Sequence, residues 1–252
     1  MRHRGQNNRH PNEAPRAPLV KRPPDLPDRR CLLTNVIEAP RLEHEHGMVA
    51  QGWELVVSPW HEGDGAVARL THGLRLGADG AYRHVLPTDR RLERYLFLSF
   101  CGRRAGLVCS LTRSLYFGRV PQDLLARQRI GASVDAVLLS ATRPGAAVRD
   151  VFQAGADRYA ASGFADQWRL HHQGGAGGYE TREYLASPTS TDVVTMGHVF
   201  AWNPSVPGAK NEDTIAVAAA ENEILTETAG WPTIPVEAGD RTWRRPAIRE
   251  VG

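Results

Sequence analysis

The residues best equipped for chemistry concentrate between His171 and Val217, in HHQGGAGGYETREYLASPTSTDVVTMGHVFAWNPSVPGAKNEDTIAV. His172, Arg182, Glu183, Asn203, Lys210 and Glu212 fall there, several of them on otherwise apolar strand patterns. A polar group in such a setting costs free energy unless it is hydrogen-bonded or paired, so the pattern marks a candidate site. Side chains of these types move protons, bind carboxylates or hold cations. The glycines after His171 and His172 remove side-chain obstacles and would let backbone come close to a ligand. An ordinary structural reading stands beside each: His172 as a hydrogen-bonded core histidine, Glu183 and Glu212 as partners of Arg182, Lys210 or Arg113.

The elements that must position these residues are legible as runs and periods. Tyr95 to Leu111, YLFLSFCGRRAGLVCSL, predicts two strands joined by a GRRAG turn, with Ser99 and Ser110 nearly opposite one another. After Pro121, Ile130, Val134, Val137, Leu138 and Ala141 predict one amphipathic helix. The Arg-Pro-Gly break at 143–145 ends it, and Val148, Val151, Phe152, Gly155 and Tyr159 predict a second that stops near Gly163. HVFAWN at 198–203 and TIAVAA at 214–219 predict a second hairpin that sets Asn203 across from Glu212. Strands and helices are grouped rather than alternating, which predicts an α+β fold with a largely antiparallel sheet. Upstream, residues 31–60 read as a small α/β fragment with a strand in GWELVVSPW, and residues 61–84 as a Gly-rich linker. Trp53, Trp60 and Trp202 are expected in the core, and His44 and His46 on a solvated helix face.

In chain order, these segments resemble the motifs of the creatinase and Xaa-Pro aminopeptidase superfamily, whose pita-bread domain also includes methionine aminopeptidases. Its Gly-His-Gly segment with a later His-Glu resembles His171-His172-Gln173-Gly174-Gly175 followed by Arg182-Glu183. Its Met-Val-Phe-Thr-Ile-Glu-Pro-Gly strand resembles His198-Val199-Phe200-Ala201-Trp202-Asn203-Pro204-Ser205, and its Arg-Ile-Glu-Asp-Thr strand resembles Lys210-Asn211-Glu212-Asp213-Thr214. Its Asp-x-Thr-Arg element resembles Ser110-Leu111-Thr112-Arg113, and the step back to the partner Asp lands on Ser99. The resemblance covers residues 84–220 and is specific because several motifs coincide in order.

The resemblance implies a pita-bread domain over residues 81–252, incomplete in its first half, after a remnant of an N-terminal domain and linker at 31–80. Between Asp79 and Tyr82 there is no room for the first helix pair. It also implies a ligand set. Active members hold two divalent metals with Asp, Asp, His, Glu and Glu, and the matching positions here are Ser99, Ser110, His172, Asn203 and Glu212. Two neighbouring dications need several carboxylates to offset their repulsion, so the site at Ser99, Ser110 and Asn203 is degenerate and no metal is expected. A single divalent ion (Mn, Zn or Co) held by His172 and Glu212 is the lesser alternative. The implied function is a family member that has lost peptidase chemistry and binds a small ligand or peptide. The alternative is a metal-free, creatinase-type hydrolase with His172 as acid and base, assisted by Glu183 and Glu212. In either case His171, Arg182, Asn203 and Lys210 would contact a carboxylated substrate or peptide.

Composition bounds the remainder. The 252 residues are 41% hydrophobic, enough for a core, and no apolar run approaches the ~20 residues that span a bilayer. Residues 1–30 hold eight Lys/Arg against three Asp/Glu and six of the 17 prolines, which predicts a disordered basic tail. The remaining residues carry 23 basic against 25 acidic side chains, so nucleic acid is not an expected partner and neither is a membrane. Cys31, Cys101 and Cys109 are odd in number and without metal-ligand spacing, which predicts thiols in a reducing cytoplasm. A homodimer is left open.

Overall fold

The computed structural model describes residues 47–50, 53–56, 66–71, 94–104 and 107–251. The expected basic tail, His44, His46, Trp60 and the domain boundaries at 31 and 80 lie outside the described residues. Three short strands come first: β1 (Gly47–Ala50), β2 (Trp53–Val56) and β3 (Ala66–Thr71). β1 and β2 pair antiparallel, with β2 in the apolar run that predicts a strand. β3 falls in the stretch read as a linker, where glycines on either side obscure the short AVARLT run.

β4 (Tyr95–Arg104) and β5 (Leu107–Phe117) form the expected hairpin, with its turn placed differently. Gly102, Arg103 and Arg104 remain in β4, paired with Cys109, Val108 and Leu107, instead of entering the turn. The register therefore slides by two: Ser99 faces Thr112 and Ser110 faces Cys101, which corrects the expected Ser99–Ser110 pairing. Because side chains alternate with period two, Ser99, Cys101, Ser110 and Thr112 still share one face.

Two helices follow where the apolar period places them, α1 (Gln122–Ala141) and α2 (Val148–Ala161). The carbonyl of Pro121 accepts the Leu125 N–H at 3.0 Å, and the missing proline N–H is no loss at a helix start. α1 is buried around much of its circumference, through Leu124, Val134, Leu138 and Leu139 but also Gln128, Ser133, Asp135 and Ser140. A helix enclosed in this way must find partners for its polar residues and its terminal carbonyls. Thr142 Oγ1 donates to the Leu138 carbonyl at 2.6 Å, and Asn222 Nδ2 donates to Leu139 and Thr142 carbonyls at 3.2 and 2.6 Å. Among the described residues no helix is long and apolar enough to cross a membrane.

The second sheet contains β6 (Gly174–Gly177), β7 (Tyr184–Leu185), β8 (Val199–Trp202), β11 (Asp213–Ala216) and β12 (Glu223–Ile224), in the order β12-β11-β8-β6-β7. A small hairpin, β9 (Ser205–Val206) with β10 (Ala209–Lys210), interrupts the β8–β11 connection. β13 (Thr233–Ala238) and β14 (Arg241–Pro246) pair with one another and pack on α1, and β15 (Arg249–Val251) runs parallel to β5. Among the described residues all other strand pairs are antiparallel, as the α+β reading predicts. Trp202, fully buried, stacks on Phe200 and donates to Thr142 Oγ1 at 2.9 Å, consistent with its expected place in the core.

β6 corrects one reading. Its glycines are not a loop that approaches a ligand: at Gly174, with φ +112°, a Cβ would lie 2.2 Å from the Ala201 carbonyl, and at Gly175 2.1 Å from that of Tyr184. Both serve close strand packing inside the sheet.

The two sheets meet where Thr112 of β5 bridges Glu212, its N–H donating to the Glu212 carbonyl at 3.0 Å. Thr214 Oγ1 accepts the Ser110 N–H and donates to the Ser110 carbonyl, both at 2.8 Å. On the far side of the same strands lies a ladder of alternating charge. Arg113 donates to Asp213 at 2.8 Å, and Arg245 donates to Asp213 at 2.6 Å and to Asp135 of α1 at 2.7 Å. All four side chains are almost fully buried. Replacing Arg245 with Ala leaves two buried carboxylates short of a cation. The expected loss is about 3–5 kcal/mol of unfolding free energy, measured by urea titration.

Candidate functional site

Strand alternation decides which side chains reach the site. Asp213 turns to the ladder, so its neighbour Glu212 turns to the opposite face, toward the polar face of the β4–β5 hairpin. There Thr112 Oγ1 donates to Glu212 Oε2 at 2.7 Å, and Ser99 Oγ donates to the same oxygen at 3.3 Å. Ser99 and Thr112 hydroxyls are 3.0 Å apart, as their register requires.

Two cations complete the cluster. Lys210, at the end of β10, places Nζ 3.0 Å from Glu212 Oε2 and 3.1 Å from Ser99 Oγ. Arg182, from the turn before β7, donates through Nη2 to Glu212 Oε1 at 3.0 Å and through Nη1 to Ser110 Oγ at 3.1 Å. The side chains of Arg182, Lys210 and Glu212 are 9%, 7% and 5% exposed, so these contacts are shielded from water. Burial alone would raise the Glu212 carboxyl; Lys210, Arg182 and the Thr112 hydroxyl more than offset it and hold the group at about 2. Ser99 and Cys101 are half-buried, so the cluster reaches the surface along β4. Cys101 Sγ lies 3.2 Å from Ser110 Oγ, and burial pushes its thiol above the usual range.

The other predicted residues have partners of their own. Asn203, across from Glu212 in the extended β8–β11 register, is 2% exposed and donates its N–H to the Gln173 carbonyl at 3.0 Å. Among the described residues its Oδ1 has no hydrogen-bond partner, and neither has Arg182 Nε, although both are buried. His172 stands just before β6, at the ring edge of His171 with centroids 6.0 Å apart. His171 faces the β9 side, its Nε2 2.6 Å from Ser205 Oγ. Glu183 closes its own turn: Oε1 accepts the N–H groups of Tyr179 and Glu180 at 2.8 and 3.2 Å. Among the described residues, no group of three or more His, Cys, Asp or Glu could hold a metal ion.

Thr112 and Cys101 are members of the cluster that the sequence reading did not single out. The signal was available: Thr112 is two positions beyond Ser110, hence on the same face, and a two-residue turn would have set it opposite Ser99.

A model of metallopeptidase family M24 matches residues 60–225, well over half of the chain. Solved structures with a similar fold include an X-Pro aminopeptidase from Thermotoga maritima MSB8, 16% identical, covering 75% of this chain and 50% of its own, at a TM-score of 0.59. An Xaa-Pro dipeptidase from Bacillus anthracis is 19% identical and covers 73% of this chain and 48% of its own, at 0.59. A dipeptidase from Pyrococcus horikoshii OT3 is 20% identical, with 66% and 48% covered, at 0.56. At such identities the likeness is one of fold, the pita-bread fold, and the chain spans about half the length of these structures. No curated protein matches the sequence.

A carboxylate depressed in the folded state adds stability above its unfolded value, and that contribution is lost as pH falls through the folded value. For Glu212 the window runs from about pH 4.5 down to about 2, and the shift corresponds to roughly 3 kcal/mol. Across that window the Glu212→Gln variant should lose less stability than the wild type, measured by urea unfolding at each pH. Parallel curves would contradict the account.

Proposed function

We propose, from the premise that this chain belongs to metallopeptidase family M24, that it lacks dinuclear-metal peptidase chemistry and binds a small carboxylated ligand or peptide. One observation carries the reading: both oxygens of Glu212 are already engaged by cations of the chain itself, Arg182 on Oε1 and Lys210 on Oε2. The donor set does not fit two dications. Ser99 and Ser110 contribute neutral hydroxyls, Glu212 is the one carboxylate among the clustered side chains, and an added dication would meet two buried positive charges.

The same arrangement favours an anionic ligand. Arg182 and Lys210 carry two positive charges against the single negative charge of Glu212, and a surplus charge held away from water gains from a counter-ion. Arg182 Nε, buried without a partner among the described residues, supplies a donor for a carboxylate. Asn203 Oδ1, buried likewise, supplies an acceptor for an amine or amide N–H. A free Xaa-Pro dipeptide carries both groups. The reading includes a cytoplasmic location; Cys101 and Cys109 are not joined in a disulfide.

Calorimetric titration with Xaa-Pro dipeptides and their C-terminal amides tests the reading. The free acids should bind more tightly than the amides, and Arg182→Ala should weaken the acids by roughly 10- to 100-fold. The same dipeptides should remain uncleaved with and without added Mn²⁺. Metal-dependent cleavage by the wild type, or equal binding of acid and amide, would contradict it.

A further inference from the structure

Each of the two cations at Glu212 joins a particular pair of positions. Lys210 Nζ bridges Ser99 Oγ and Glu212 Oε2, at 3.1 and 3.0 Å. The Arg182 guanidinium bridges Ser110 Oγ and Glu212 Oε1, at 3.1 and 3.0 Å. By the resemblance of the sequence motifs, Ser99, Ser110 and Glu212 stand where the metal-binding pattern has its two aspartates and last glutamate, and they come from three strands or strand ends.

We infer that Lys210 Nζ and the Arg182 guanidinium are built-in replacements for the two divalent ions, holding the same protein groups together with charge from the chain. Charge balance follows the same logic. Four carboxylates match two dications; with Ser99, Ser110 and Asn203 neutral, one carboxylate is left, against which two monocations leave a surplus of one positive charge and two dications would leave three. A dication in place of either cation would leave a larger uncompensated charge in a buried cluster. The ε-ammonium group suits the Ser99 side as a compact point charge, whereas the planar guanidinium reaches Ser110 and Glu212 with two separate nitrogens. The cluster is thus assembled by folding and needs no ion from solution. This inference rests on the loss of the dinuclear centre argued above, though not on the ligand proposed there.

The test restores a carboxylate with and without the resident cation, and reads Mn²⁺ uptake by electron paramagnetic resonance together with the thermal midpoint. Ser99→Asp alone should fold with a midpoint at or above the wild type, because Lys210 faces the new carboxylate, and should take up no Mn²⁺. Ser99→Asp combined with Lys210→Ala should bind Mn²⁺, with a midpoint that rises as Mn²⁺ is added. Uptake by the single variant equal to that of the double variant would overturn the inference. So would a lowered midpoint in the single variant that Mn²⁺ restores. Should the double variant not fold, the single variant's two readouts decide alone. Dipeptide binding by the wild type is a separate measurement, so the proposed ligand can fail while this inference stands, whereas metal-dependent cleavage by the wild type would overturn both.

Discussion

A carboxylate taken out of water must be paired, and in this protein Glu212 is paired twice. Arg182 and Lys210 each hold one of its oxygens, and Thr112 and Ser99 hydroxyls add to the second. Much else is arranged to make that possible. The β4–β5 hairpin presents four small polar side chains on one face, the turn before β7 delivers a guanidinium, and β10 delivers an ammonium. Removing one partner from such a cluster leaves a buried charge, which costs more than the net gain of forming the pair.

The neighbour of Glu212 explains how the strand is held in that register. Asp213 faces the other way, into the ladder formed with Arg113, Arg245 and Asp135. A slip of one residue would exchange the two carboxylates between networks, giving the ladder a glutamate and the site an aspartate. Burial pushes the Asp135 carboxyl up to about 6 even with Arg245 beside it. The ladder reaches from β5 through β11 and β14 to α1, so helix, sheet seam and site share one electrostatic frame.

The sequence carried the fold well where patterns were long. Pro121 and the apolar period to Ala141, and the stripe from Val148 to Tyr159, gave both helices, and HVFAWN with TIAV gave β8 and β11. The hairpin register was less legible, because Gly102 looks like turn chemistry yet stays in β4. β6 was hidden for a related reason: its glycines are demanded by the backbone of Ala201 and Tyr184, and no side-chain pattern records that demand. Within the site, Glu212, Arg182, Lys210, Ser99 and Ser110 were all singled out from the sequence. The pairing of Glu212 with Arg182 or Lys210 was one of the readings, but the bridges from these cations to Ser110 and Ser99 were not, since they depend on a turn and a strand end that only the folded chain brings together. His172 and Glu183 lie near the same motifs in sequence, but His172 packs beside His171 and Glu183 closes its own turn.

The most direct measurement is a crystal structure grown in excess Mn²⁺, with anomalous diffraction collected at the manganese absorption edge. The account predicts no anomalous peak among Ser99, Ser110 and Glu212, with Lys210 and Arg182 still bridging to the carboxylate. A manganese peak there, with either cation displaced from Glu212, would contradict it.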